Sequence, residues 1–302
     1  VTSRLLIAGC GDVGVRLGRL LADQGWECFG LRRRAEQVPA PVRGIAADLT
    51  DPASLTGLSD ALDALVYIAA PMVRTPETYR HTYLDGPVNL LGALGESARR
   101  MRRVILVSST SVYGDSSGAW VDERTPPRPQ AFNGEIVLEA ERLWAGFGLP
   151  LTVVRMAGLY GPDRLWLIRR VQEGGATCQD DPPLWTNRIH VEDAARMLAH
   201  ILGLAAPDAL YIGADDEPAT ECSVMRWLAN RLGAPDPRPI GARPRQGPLG
   251  NKRLSNRRIR DSGFEFRYPS FREGYAAVIE ALRAGADTSR PAGGNLLDSS
   301  HP

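Results

Sequence analysis

Glycines 9, 11 and 14, in the run GCGDVG, have the G-x-G-x-x-G spacing that lets a backbone wrap a diphosphate. The apolar run RLLIAG (4–9) leads into them and reads as a buried parallel strand. DVGVRLGRLLADQG (12–25) follows, with Val13, Leu17, Leu20 and Leu21 at helical spacing and Gly25 as a stop. Between a strand and a helix, Gly9 permits the tight turn and Gly11 lets backbone approach a pyrophosphate. Gly14 lets helix and strand pack closely, and the helix N-terminus faces the phosphates. The chemistry indicated is dinucleotide binding.

The second strand, ECFGLRRR (27–34), ends on Arg32, Arg33 and Arg34, where a carboxylate would hold ribose hydroxyls. Guanidinium groups there would pair with a 2′-phosphate. NADP(H) is therefore the expected cofactor, with NAD(H) as the alternative. The bland reading of the run is a solvated basic surface in an Arg-rich chain. Asp48, closing the third strand in AADLTD, either accepts from an adenine amino group or serves as a turn residue.

These groups need a scaffold. Strands are expected at 4–9, 27–34, 44–51, 64–71, 103–109 and 151–162, with helices at 12–25, 53–62 and 82–100. The alternation predicts an α/β fold, a Rossmann-type doubly wound parallel sheet covered on both faces. From residue 163 the elements shorten and Pro, Gly, Trp and Arg become frequent. Helices are expected at 190–203, 222–233 and 270–285, and a strand at 209–214. The domains read as 1–162 for dinucleotide binding, then 163–285 for a smaller C-terminal substrate lobe with elements returning to the main sheet. Residues 286–302, small and polar, are expected to be a disordered tail.

The chain has 302 residues, 43% of them hydrophobic, which suffices for one large domain or two unequal lobes. A net charge of +1 offers no electrostatic case for nucleic acid or an acidic membrane. No apolar run reaches the ~18 residues that span a bilayer. VTSRLLIAGCG at the start is a strand entering a loop, wrongly built for a signal peptide. Cys10, Cys28, Cys178 and Cys222 are scattered, without metal-like spacing, and read as reduced thiols of a cytoplasmic protein.

GCGDVG, ADLTD, YIAAP, VSSTSVYG, RMAGLYGP and NRIHVEDAARML follow one another with familiar spacing. Together they resemble the extended and atypical short-chain dehydrogenase/reductase proteins, the NAD(P)-dependent epimerase/dehydratase group, over about residues 4 to 285. The resemblance implies a cofactor lying against Gly9, Gly11, Asp12, Val13, Gly14, Arg32, Arg33, Asp48, Leu49, Ala69, Ala70, Pro71 and Ser108. It implies a small-molecule substrate such as a nucleotide sugar or another carbonyl or hydroxyl compound, and a homodimer.

In active relatives a tyrosine exchanges a proton with the substrate hydroxyl, and a lysine four residues later lowers its pKa and holds the nicotinamide ribose. The i, i+4 spacing puts both on one helix face. Anchored on VYG, the orienting hydroxyl falls on Ser109, with Thr110 beside it. In PQAFNGEIVLEAERLW (129–144), Asn133 then takes the tyrosine place and Val137 the lysine place. Slippage cannot restore the pair, because the only lysine is Lys252 and Pro248 stands four residues before it. Tyr83 takes a place that many relatives fill with asparagine.

Asn133 cannot act as a general acid at neutral pH, and such help is worth roughly 10²–10⁴-fold in rate. Substitute acids are Tyr83, Tyr113 and Tyr160, each of which reads first as cleft packing. Glu135 reads as a solvated helix-start carboxylate, and His190 as mainly structural, with Asp193 as a helix-start partner. Arg164, Arg169 and Arg188, with Trp166 and Trp185, either meet a substrate anion or hold the lobes together. Two functions compete: an NAD(P)-dependent epimerase, dehydratase or reductase with a reworked site, and a non-catalytic NADP(H)-binding redox sensor or regulator. A scaffold on a borrowed fold is the third.

Overall fold

The computed structural model describes residues 2–58, 61–241 and 250–288. Its main sheet has seven strands: β1 Arg4–Ala8, β2 Glu27–Arg32, β3 Arg43–Ala46, β4 Ala64–Tyr67, β5 Arg103–Ser109, β6 Leu151–Met156 and β7 Leu210–Gly213. The order is β7-β6-β5-β4-β1-β2-β3, with every neighbouring pair parallel. The order reverses between β1 and β4, which opens a crevice beyond their carboxyl ends. The α-helices are α1 Asp12–Ala22, α2 Pro76–Arg80, α3 Gly86–Leu94, α4 Glu96–Arg100, α5 Phe132–Gly146, α6 Trp166–Gln172, α7 Val191–Gly203, α8 Glu221–Leu232, α9 Arg257–Asp261 and α10 Phe271–Thr288.

Successive side chains of a strand point to opposite faces, so a sheet covered on both sides needs apolar residues throughout. In β1, Leu5 and Ile7 join a core cluster with Val13 and Leu17 of α1 and Ala194 and Leu198 of α7. Leu6 and Ala8 join another, with Leu90 of α3 and Trp144 of α5. A separate core in the C-terminal lobe gathers Ile168 and Val171 of α6, Leu228 of α8 and Ile279 of α10. No helix of the described residues is long and apolar enough to cross a membrane.

Four expectations change. Residues 53–58 and 61–62 do not form the expected α-helix. A single 3₁₀ turn, Pro52–Leu55, is capped by Asp51 accepting from the Ala53 amide, and residues 59–60 lie outside the described residues. The long helix expected at 82–100 is broken. It passes from α2 through a π-turn at His81–Asp85 into α3, and Gly95 at φ +52° separates α3 from α4. The fully buried Tyr67 hydroxyl donates to the Thr82 carbonyl inside that π-turn, at 2.5 Å.

Cys178 and Cys222 are not free thiols but form a disulfide, with Cα atoms 5.1 Å apart. That removes the cysteine argument for a reducing compartment. Finally, α10 runs to Thr288, three residues into the expected tail, and residues 289–302 lie outside the described residues.

A buried charge network ties α5 to the sheet. Ser108 of β5 and Arg155 of β6 are cross-strand neighbours, and both reach Glu141 of α5. The Ser108 hydroxyl donates to Glu141 at 2.5 Å, and Arg155 forms a two-point fork at 2.9 and 2.6 Å. The Arg155 guanidinium also lies over the Tyr113 ring, 4.7 Å from its centroid. Removing one partner of such a pair leaves an uncompensated buried charge. Arg155→Met should therefore cost about 3–5 kcal/mol, read from a urea midpoint.

Just past β7, Asp215 is 1% exposed, and burial, opposed by the charge of Arg188, pushes its carboxyl up to about 8. A raised folded-state value means that its contribution to stability is fully present below the ordinary value of 3.8 and is lost as pH climbs through about 8. The denaturation midpoint of Asp215→Asn should rise relative to that of the parent as pH increases between those values.

Candidate dinucleotide and substrate cleft

The glycine-rich turn lies where β1 enters α1. Gly9 has φ +85°, and a Cβ there would stand 2.4 Å from the Ala69 backbone, so only glycine fits. A Cβ on Gly11 would meet nothing nearer than the Gly9 carbonyl at 4.0 Å. The space over Gly11 is therefore open towards the N-terminus of α1. That is the room a pyrophosphate needs, and the residues present fit an NAD-type dinucleotide. Asp12 in the first turn would repel phosphates, but two cations offset it. Arg16 donates to it at 2.7 Å, and Arg164 reaches within 3.8 Å from the loop after the Gly158–Tyr160 strand. Val13 and Gly14 are buried where α1 packs against the sheet.

The residues expected around the adenosine lie at the ends of β2, β3 and β4. Asp48 accepts from the Thr50 amide and hydroxyl at 2.9 and 2.8 Å, a turn arrangement. The Leu49 carbonyl accepts from the Asn89 side chain at 3.0 Å. Ala69 is buried against Gly9, with Ala70 and Pro71 next in the chain. Arg32 donates to Gln37 at 2.7 Å, and Arg33 reaches the Met72 sulfur at 2.5 Å.

At the reacting end, Ser109 caps the short Thr110–Tyr113 turn by accepting from the Ser111 amide at 3.2 Å. Its own hydroxyl proton is left to donate. Thr110 beside it is buried. The start of α5 presses on this turn: a Cβ on Gly134 would stand 2.6 Å from the Ser111 carbonyl. Asn133 precedes Gly134, is 6% exposed, and accepts from Arg74 of the β4–α2 loop at 3.1 Å. Val137, one turn on, is buried in an apolar cluster with Val112 and Leu138, against which Tyr79 and Tyr83 pack.

The tyrosines expected as substitute acids have raised pKa values or lie away from the turn of Ser109. Burial raises the Tyr83 phenol above its ordinary value, with Tyr79 adding to the shift. Tyr113 is 3% exposed, and burial raises it too, opposed by Arg155. A general acid works best near ambient pH, so both shifts run the wrong way. Tyr160 is sealed in the C-terminal lobe, its ring 4.5 Å from that of Tyr275. His190 caps α7 by accepting from the Glu192 amide at 3.2 Å, and burial lowers its pKa. Asp193 accepts from the Arg267 and Tyr268 amides at 2.9 and 2.8 Å. Glu135 is exposed in the first turn of α5. Ser108, expected against the cofactor, has its hydroxyl committed to Glu141.

Two residues meet this cleft that sequence reasoning did not bring there. Arg74 approaches Asn133 across 59 residues. Lys252, absent from any Tyr-x-x-x-Lys pattern, comes back to the residue that closes the Thr110–Tyr113 turn. It is 4% exposed, its ammonium donates to the Gly114 carbonyl at 3.0 Å, and burial pushes it down to about 8. Only its being the one lysine of the chain marked it beforehand.

Protein YeeZ of Escherichia coli (strain K12) is 30% identical over 280 residues, covering 88% of this chain and 96% of that protein. A solved structure from Methylobacillus flagellatus, provisionally described as an NAD-dependent epimerase/dehydratase, is 39% identical. It has a TM-score of 0.78 and covers 94% of this chain and 100% of that one. The UDP-glucose 4-epimerase of Thermus thermophilus, solved with NAD, shares the fold at 22% identity and a TM-score of 0.76. It covers 93% of this chain and 99% of that one.

These structures overturn the expected preference for NADP(H). The Thermus enzyme, MoeE5 and Bordetella bronchiseptica WbmG were all solved with NAD. The physical reason is that an arginine run at a strand end is not by itself a phosphate site: Arg32 donates to Gln37 and Arg33 to Met72, contacts that do not mark a 2′-phosphate. Residues 5–213 match the NAD dependent epimerase/dehydratase family, and the chain belongs to that family.

Proposed function

We propose that this protein holds NAD across the β1/β4 crevice and acts on a small carbonyl or hydroxyl compound of the nucleotide-sugar type. The observation that carries this reading is the open cradle over Gly11 at the start of α1. When bound, NAD supplies hydride exchange at its nicotinamide. Ser109 directs its hydroxyl proton at the substrate oxygen, and Thr110 and the Asn133 amide complete that wall. None of these groups delivers a proton by ionising, so the oxygen is polarised by fixed donors while solvent carries the proton. Such donors stabilise developing charge because they need no reorganisation. Turnover should be slow, since general acid help worth roughly 10²–10⁴-fold is missing.

The division at residues 162 and 163 belongs to the same proposal, with Arg188 and the Trp185 segment on the substrate side. So do the homodimer and the cytoplasmic location expected from the sequence.

Calorimetry with NAD and nicotinamide absorbance with UDP-glucose and UDP-glucuronic acid test the reading. Gly11→Val should fold normally, because its Cβ enters open space, yet lose NAD binding. Ser109→Ala should keep NAD and slow hydride exchange by about 10²–10³-fold, the cost of one oxyanion donor. A parent protein that does not bind NAD sinks the reading. One that binds NAD but exchanges no hydride with any carbonyl or hydroxyl probe is the regulatory module instead. Light scattering should show a dimer, and the mass of a single chain overturns that part.

A further inference from the structure

Arg74 is an exposed cation whose side chain has one hydrogen bond among the described residues, and that bond goes to the residue in the tyrosine place. Other arginines of α1, α2 and β6 are paired with carboxylates: Arg16 with Asp12, Arg80 with Glu139, Arg155 with Glu141. Arg74 has no such partner among the described residues. Its guanidinium has further N–H groups in a planar fork, the geometry that matches a carboxylate.

Asn133 strengthens the case. Its Oδ1 accepts from Arg74, so the Nδ2 group is the end left to donate. It is almost fully buried, so its orientation is set by the protein and not by solvent. It sits at the N-terminus of the 15-residue α5, where the helix field favours negative charge. Ser109 adds a hydroxyl donor from the turn on which α5 presses. A cation and an oriented amide thus meet at the position that the family resemblance gives to a tyrosine, beside the turn that Ser109 caps.

We propose that Arg74 and Asn133 form an anion-recognition subsite at the reacting end of the cleft, and that the substrate of this protein carries a carboxylate there. This rests on the NAD-dependent reading above and narrows its substrate class to acids. The carboxylate sits either on a nucleotide sugar or on a free sugar acid, and both present the same planar oxyanion to the guanidinium.

The test is calorimetry in two arms, each run with NAD and without it. One compares UDP-glucuronic acid with UDP-glucose, which differ by a carboxylate in place of a hydroxymethyl group. The other compares free glucuronate with glucose. In at least one arm the acid should bind about tenfold or more tightly than its neutral partner, the scale of one charge-assisted contact. Arg74→Met should bring that ratio to parity without lowering the affinity for NAD, and Arg74→Lys should keep only part of it. Asn133→Asp should also abolish the preference, because its own carboxylate would occupy Arg74.

If neither arm shows a preference for the acid, or if the preference survives Arg74→Met, the proposal is overturned. If Arg74→Met loses NAD binding, Arg74 is a cofactor ligand and the proposal falls for that reason. Failure of the parent protein to bind NAD strikes the wider reading, while the carboxylate arms without NAD still decide this one.

Discussion

A carboxylate enclosed between a sheet and a helix is tolerable only if it is matched in charge and hydrogen bonds. Glu141 is matched by Arg155 and Ser108, and this triangle sets where α5 can lie. The helix carries Asn133 and Val137, so the reacting end of the cleft depends on it. The same network explains why two polar residues of the strands turn away from the crevice. Arg155 also lies over the ring of Tyr113, which is buried in the core.

With α5 held in this way, the loss of tyrosine and lysine alters the electrostatics more than the shape. Val137 continues an apolar cluster, so no cavity needs filling where the lysine would be. Asn133 keeps a polar tip in the tyrosine place but cannot ionise. The cation reappears from a different direction, as Arg74 from the β4–α2 loop. A cation beside a phenol would lower its pKa, whereas a cation beside an amide orients a donor. The phosphate end is unchanged by this. Its demands are an open Gly11 and a helix N-terminus, and both lie at the junction of β1 and α1, far in sequence from α5.

Much of the fold was legible because its signals are local. β5 was expected at 103–109 and lies there, since a run of apolar residues bounded by arginine and serine has no competing period. The helix expected at 82–100 failed because its pattern carries no mark of the π-turn, whose winding accompanies the Tyr67 hydrogen bond from a strand 15 residues away. The turn at 52–55 stayed short because Pro52 and Asp51 can cap a single turn without extending it. The NADP(H) expectation failed because arginines were counted without their partners.

By itself the sequence determined the dinucleotide scaffold and the absence of a Tyr-x-x-x-Lys pair, since glycine spacing and a single lysine are properties of the chain. Only the tertiary structure decided which distant residues meet. The contact of Arg74 with Asn133 spans 59 residues, that of Lys252 with Gly114 spans 138, and the Cys178–Cys222 bridge spans 44. Residues that far apart meet because packed strands and helices bring them together, and no local spacing encodes such a meeting.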